Sequence, residues 1–327
     1  MLSLEPKWCV CLTTLALLGA GTVAAQTPNY PAKPVRIIVG FAPGGGTDII
    51  ARLLAQRLTE ATGQSFLVEN RPGAAGNIAT EYIAKAPPDG YALLMTTCVH
   101  AINASLYARL PFDPVKDFTA VGVVGGTSNV LATHPSMPVK SLRELIALAK
   151  ARPGEISYAH AGNGTPQHLA MELFRSMAGI KLLAVPYNGA GPSTAAVLGG
   201  QLPLLTSSLV VVLPHARAGK LRALGVTSAE RSPLAPDLPT VAEAAGLPGY
   251  EAMVWFGLLA PAGTPAAVVN RISAEVERQY QQREFRERLA ALGFEPSRSS
   301  PDELAQLIKS DIVKWGKAVR ESGAKAD

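Results

Sequence analysis

Four glycine-bearing turns each follow a run of β-formers and precede a helical pattern. They are Phe41-Ala42-Pro43-Gly44-Gly45-Gly46, Asn70-Arg71-Pro72-Gly73-Ala74-Ala75-Gly76, Ala161-Gly162-Asn163-Gly164-Thr165 and Tyr187-Asn188-Gly189-Ala190-Gly191-Pro192. Such a turn leaves backbone N–H groups unpaired at the positive end of a helix dipole, where an anion is stabilised, and glycine lets the anion come close. Any strand-to-helix turn uses glycine for its own geometry, so one loop says little. Four in one chain, with three glycines in succession at 44–46, point to anion capture. Phosphate fits poorly: no Gly-Lys-Ser/Thr ending follows, and Ile49 stands where a dinucleotide fingerprint needs its third glycine. A carboxylate is the better match.

The polar side chains beside these loops suit reversible binding. Asp48, next to the triple glycine, reads first as an acid favourable to the helix dipole and second as a ligand contact. The histidines at 100, 134, 160, 168 and 215 form no His-Glu-x-x-His or Cys/His cluster, so neither a metal nor a cofactor is expected. His168, in the first turn after Gly164 and Thr165, could donate to a carboxylate or simply lie on the helix surface; His160 has the same two readings. No Gly-x-Ser-x-Gly elbow or pair of acids stands near the loops, which argues against an enzyme. Thr96, Thr97, Asn103, Tyr187 and Asn188 offer neutral donors, and Trp255 and Phe256 read as packing or as a pocket wall.

Strands alternating with helices must position these groups, a pattern that argues for parallel sheets in an α/β fold. Strands are expected over residues 35–39, 66–69, 156–160 and 183–186. Helices should follow from Thr47, placed to cap the first; from Asn77; from Pro166, a residue favoured in a first turn; and from Ser193. Ile50, Leu53, Leu54 and Leu58 give the first helix one apolar face. Later, Thr264-Pro265 and Ser300-Pro301-Asp302-Glu303 read as helix starts, the second with capping-box spacing, and Gly293 closes the helix between them.

At 327 residues the chain exceeds one common domain, so two lobes are expected: residues 26–125 with 251–327, and residues 126–250. A signal peptide over residues 1–25, apolar from Cys9 to Ala20 and ending Val23-Ala24-Ala25, implies export and cleavage after Ala25. Cys98 is then the single cysteine left and reads as a small buried apolar residue. The net charge of +5 is spread among acids, with no basic stripe for a nucleic acid.

The chain resembles the tripartite tricarboxylate transporter receptor family, the Bug-type periplasmic binding proteins. The likeness rests on Phe41-Ala42-Pro43-Gly44-Gly45-Gly46-Thr47-Asp48, Glu69-Asn70-Arg71-Pro72-Gly73-Ala74-Ala75-Gly76-Asn77, Ala86-Pro87-Pro88-Asp89-Gly90-Tyr91 and Phe112-Asp113-Pro114-Val115-Lys116-Asp117-Phe118. It continues through Gly162-Asn163-Gly164-Thr165-Pro166-Gln167-His168-Leu169, Val185-Pro186-Tyr187-Asn188-Gly189, Leu221-Arg222-Ala223-Leu224 and Pro239-Thr240-Val241-Ala242-Glu243. The resemblance implies a two-lobed, type II-like periplasmic-binding-protein fold with the ligand in the interlobe cleft. It also implies a monomeric receptor that hands a small carboxylate to membrane permease subunits; a sensor feeding a signalling system is the alternative, and a periplasmic hydrolase a remote one. Carried over, the pincers would be Gly44 to Thr47 and Ala161 to Thr165; together with the side chains read above, the expected ligand contacts are Phe41, Gly44, Gly45, Gly46, Thr47, Asp48 and Thr97 from one lobe. The other lobe would supply His160, Ala161, Gly162, Asn163, Gly164, Thr165, His168, Tyr187 and Ser207. The family often has Ser at the place of His160 and Asp at those of Pro203 and Ser207. Without an acid there, a plain or aromatic carboxylate is favoured over an amino acid.

Overall fold

Four of the five side chains of Val35-Arg36-Ile37-Ile38-Val39 are fully buried, the signature of a strand covered on both faces, and this segment is the strand from which the first sheet is built. The computed structural model describes residues 30–187 and 189–326. The expected signal peptide and Asn188 lie outside the described residues.

In chain order the elements are β1 (Val35–Val39), α1 (Gly46–Thr62), β2 (Phe66–Asn70), α2 (Asn77–Ala84), β3 (Ala92–Thr97), α3 (Val99–Leu106), β4 (Phe118–Thr127) and β5 (Asn129–Thr133). There follow α4 (Leu142–Ala151), β6 (Ser157–His160), α5 (Pro166–Ala178), β7 (Leu183–Pro186), α6 (Ala190–Leu198), β8 (Leu204–Ser208), α7 (Leu209–Arg217) and β9 (Arg222–Val226). The chain ends with α8 (Val241–Ala245), β10 (Val254–Pro261), α9 (Ala266–Gln281), α10 (Arg283–Ala291) and α11 (Pro301–Ser322). Two five-stranded sheets result, in the orders β2-β1-β3-β10-β4 and β7-β6-β8-β5-β9. In each, parallel strands joined through helices are completed by a strand entering antiparallel: β10 between β3 and β4, and β5 between β8 and β9. Ser128 alone separates β4 of the first sheet from β5 of the second, and the chain returns between α8 and β10.

The second sheet sorts its side chains by alternation. Leu131, Tyr158 and Leu204 share a core with Leu169 and Phe174 of α5, while Val130, Ala132, Ala159 and Leu205 join Val212 of α7 on the other face. This assignment decides which polar residues of β5, β6 and β8 face which helix.

Several helix ends differ from expectation. Gly45, not Thr47, is the N-cap of α1, and Thr47 lies buried in the first turn, where its side chain is drawn inward. Helix α6 starts at Ala190, earlier than Ser193, because Gly191 and Pro192 are both accepted in a first turn. The single helix expected before Gly293 is two, since the chain turns extended at Gln282 (φ −78°, ψ 122°). Thr264 does not cap α9; its hydroxyl donates to the Pro261 carbonyl at 2.7 Å and Pro265 takes the cap position. The capping box of α11 is present, with Glu303 N donating to Ser300 Oγ at 3.2 Å and Ser300 N to Glu303 Oε2 at 2.7 Å.

Candidate binding cleft

Helix α1 begins without a side-chain cap. Its first intrahelical bond is Ile49 N to Gly45 O at 3.0 Å, so the amides of Gly46, Thr47 and Asp48 come before it and point out of the helix end. The loop ahead is held open by Asp48, whose Oδ2 accepts from Gly44 N at 2.9 Å and from Arg52 Nε at 3.0 Å, while Oδ1 accepts from Asn70 Nδ2 at 2.9 Å. Asn70 Nδ2 also donates to the Phe41 carbonyl at 3.0 Å, tying the two ends of the loop together. Burial opposes the Asp48 charge, but the bonds from Arg52, Gly44 and Asn70 outweigh it and hold the carboxyl below the usual carboxylate range. Asp48 is therefore an ionised brace whose oxygens are already committed to the protein.

A cleft of about 450 Å³ opens at this helix end. From the first sheet and its helices come Phe41, Gly44, Gly46, Thr47, Ile49, Thr97, Val99, Thr127, Val254 and Phe256, and from the segment after α10 come Leu292, Gly293 and Phe294. The second half supplies Pro166 and Gln167 from α5, Ser208, and Val210 and Val211 from α7. Helix α7 likewise starts without a side-chain cap: Leu209 N donates to Ser128 O at 2.9 Å, and the amides of Val210 and Val211 lie in the unbonded first turn. The first turns of four helices, α1, α3, α5 and α7, thus reach one cleft, with the hydroxyls of Thr97, Thr127 and Ser208 beside them. None of the lining residues carries a charged side chain. Phe256 and Phe294 meet edge to face at 5.3 Å between ring centres and form an apolar wall.

At the mouth, the two halves touch. A Cβ placed on Gly293, whose φ is +84°, would lie 1.9 Å from Val210 Cγ1, so only glycine allows this approach. A Cβ on Gly164 would similarly lie 2.5 Å from Leu106 Cδ2. Behind the cleft, Ser128 donates to Glu295 Oε1 through a buried hydrogen bond where the chain passes between sheets.

Of the residues singled out in the sequence, the structure brings Phe41, Gly44, Gly46, Thr47 and Thr97 to the cleft wall. Gly45 is exposed beside it at the N-cap. The loop 161–165 lies outside this wall, and several of its polar groups are bonded internally. Thr165 Oγ1 donates to Gly162 O at 2.7 Å and accepts from His168 N at 3.3 Å, and Gly164 N donates to His168 Nδ1 at 3.2 Å. His160 and His168 are buried and stacked, 4.2 Å between ring centres. Burial lowers the basicity of both; for His168, to which the neighbouring His160 and Arg175 also contribute, it falls to about 3. Tyr187 is half-buried, its amide donating to His160 O at 3.0 Å. Ser207 faces α6, where it accepts from Thr194 Oγ1 at 3.3 Å, and it is Ser208, one residue on and on the opposite face, that reaches the cleft. Trp255 packs, with its indole N–H on Asp311 Oδ2 at 2.7 Å, while Phe256 forms the wall.

Sequence reasoning also missed Thr127, Gln167, Val210, Val211, Leu292 and Phe294. Only the polar-to-apolar step Ser207-Ser208-Leu209-Val210-Val211 hinted at a second helix start.

Two α/β sheets joined at a narrow crossing, with a mostly apolar cleft and helix N-termini at its edge, define a solute-binding protein. Residues 50–324 match the model of the tripartite tricarboxylate transporter family receptor. The chain is 39% identical to Protein BugT of Bordetella pertussis over 308 residues, covering 94% of each chain. Among solved structures it is similar to a protein of R. palustris with adipate (39% identity, TM-score 0.77, covering 90% of this chain and 99% of that one). MatC from Rhodopseudomonas palustris with bound malate is similar at 34% identity and TM-score 0.73, covering 89% of this chain and 100% of that one. The chain belongs to the tripartite tricarboxylate transporter receptor family, whose members are solute-binding receptors.

Proposed function

We propose that this receptor works in the periplasm and captures a small carboxylate with a single acid group and an apolar or aromatic body, for delivery to membrane permease subunits. Its carboxylate sits on the amides of Gly46 and Thr47, and its body lies against Phe256 and Phe294. One lobe is built on the first sheet (β1 to β4 with β10) and the other on the second (β5 to β9); the ligand bridges them and favours the closed arrangement, which the permease reads. The protein acts as a monomer and performs no chemistry on what it binds.

The observation that carries the reading is the lining of the cleft: an uncapped helix end with no charged side chain of either sign. One carboxylate is served by amides and dipole. A second would lose its hydration without gaining a cation, and an ammonium would find no acid. Relatives solved with adipate and malate support the carboxylate class, while the uncharged lining favours a monoacid here.

Thermal shift and calorimetry against benzoate, hexanoate, adipate, malate, citrate and glutamate test this, since a ligand of the native state raises the unfolding midpoint. The monoacids should bind most tightly. Preference for malate, citrate or glutamate would overturn the reading.

A further inference from the structure

Three strands of the second sheet present polar side chains on the face covered by α5. Asn129 stands opposite Ser208 and Leu131 opposite Thr206 in the β5–β8 register. Tyr158 pairs with Leu204, so two residues on His160 lies beside Thr206. Side chains two apart on a strand share a face, and the stack of His160 on His168, with Tyr158 Oη donating to Glu172 Oε1 at 2.6 Å, identifies that face as the one under α5. His160, Thr206 and Asn129 therefore form one strip that continues from Ser208, whose side belongs to the cleft, and is roofed by the first turn of α5, which supplies Pro166 and Gln167 to the same cleft.

Every residue of this strip is fully buried. Among the described residues, no protein group bonds to His160 Nε2, Thr206 Oγ1, Asn129 Oδ1 or Asn129 Nδ2. A buried polar atom left unpaired forfeits its hydration without compensation, so four in one strip that leads to Ser208 of the cleft call for an occupant that hydrogen-bonds. The Nδ1 of His160 lies 3.0 Å from Gly162 O, which can only accept, and the Gly162 amide is further away at 3.3 Å. The proton of the neutral ring belongs on Nδ1, and Nε2 is left as an acceptor. The strip thus offers an imidazole acceptor, a hydroxyl and a primary amide.

We propose that this strip is a subsite for a neutral hydroxyl group carried by the ligand at the end remote from its carboxylate. The inference rests on the receptor reading above and narrows its ligand to a hydroxylated monoacid. A hydroxyl can donate to His160 Nε2 and accept from Asn129 Nδ2 or Thr206. A second carboxylate cannot donate, and the cation on this face of α5, Arg175, is held by Glu172 Oε2 at 2.6 Å and by the Leu182 carbonyl at 3.0 Å. Burial keeps His160 neutral, so it supplies no charge either.

Calorimetry on the purified protein with matched probes tests the subsite: benzoate against 3- and 4-hydroxybenzoate, and hexanoate against 6-hydroxyhexanoate. At least one hydroxylated member should bind about tenfold more tightly than its parent, the worth of a buried hydrogen bond. Thr206→Val should erase that advantage and leave the parent's affinity within about threefold, whereas Thr206→Ser, which retains the hydroxyl, should keep it. Parents that bind with no gain from any hydroxyl would overturn the subsite while leaving the receptor reading intact, and an advantage undiminished by Thr206→Val and by Asn129→Leu would do the same, because the hydroxyl would then be held elsewhere. If no carboxylate of either kind binds, both proposals fall. Asn129→Leu provides a second variant should Thr206→Val unfold.

Discussion

Lowering the pH from 7.5 to 5.0 should destabilise this protein by about 4 kcal/mol through two buried histidines, His100 and His168. Burial lowers His100 to about 4, despite a bond of its Nε2 to the Pro114 carbonyl at 2.8 Å, and His168 to about 3. In the unfolded chain both return to 6.5. Between 6.5 and the folded value the unfolded state binds a proton that the native state refuses, so stability falls as pH falls. At pH 5.0 each unfolded histidine gains RT ln(1 + 10^1.5), roughly 2 kcal/mol, while the native ring stays neutral. His160 adds to the same sign. The carboxylates of Asp48, Asp113, Glu243 and Glu303, all held below their ordinary range, act with the same sign but at lower pH. Their stabilisation is present above the unfolded carboxylate value and is lost only as pH drops through the lower folded value, so they contribute little over this window. With a urea m-value of about 3 kcal/mol/M for a chain of this size, the midpoint should move down by roughly 1 M. Urea unfolding followed by tryptophan fluorescence at the two pH values is the assay, and His168→Gln should remove about half of the difference. A midpoint that stays constant or rises on acidification would refute the claim that these rings are held neutral.

Gly46→Leu should lower ligand affinity at least a hundredfold with the fold intact: its Cβ would meet Phe256 Cζ at 3.6 Å without clash, and the rest of the side chain would fill the carboxylate's approach to two amides worth about 1.5–3 kcal/mol each. Calorimetry showing affinity within threefold of the parent would remove α1 from the site. Ser208→Ala should weaken binding about tenfold and Ser207→Ala should hardly change it, because the two hydroxyls face opposite sides of the sheet; titrations giving the reverse order would show the register to be wrong. Gly293→Ala should weaken binding by holding the mouth apart, and Val210→Ala in the same chain should restore much of it; additive losses in that double-mutant cycle would mean that the contact plays no part in closure.

Much of the fold was legible because local chemistry and global packing agree. The β-branched run 35–39 has one buried outcome, Pro166 and the Ser300 to Glu303 spacing mark helix starts that the backbone follows, and the first glycine loop delivers Gly44 and Gly46 to the cleft. The second loop has the same residue types as the first. Its glycines and Thr165 look equally suited to an anion, but the Gly164 amide is taken by His168 Nδ1 and the Thr165 amide by the Gly162 carbonyl, a competition that depends on rotamers and not on residue type.

From its sequence alone the chain determined an α/β organisation, the helix ends rich in free amides and the family to which it belongs, because these follow from periodicity, glycine placement and motifs read within short windows. The partners of α1 across the cleft were decided only by tertiary structure: Thr127 at the end of β4, Val211 in α7 and Phe294 after α10 are brought together from three distant parts of the chain. So was the one-residue distinction between Ser207 and Ser208. A strand's alternation says that neighbours face opposite ways, and only the helix packed on each face says which way leads to the ligand.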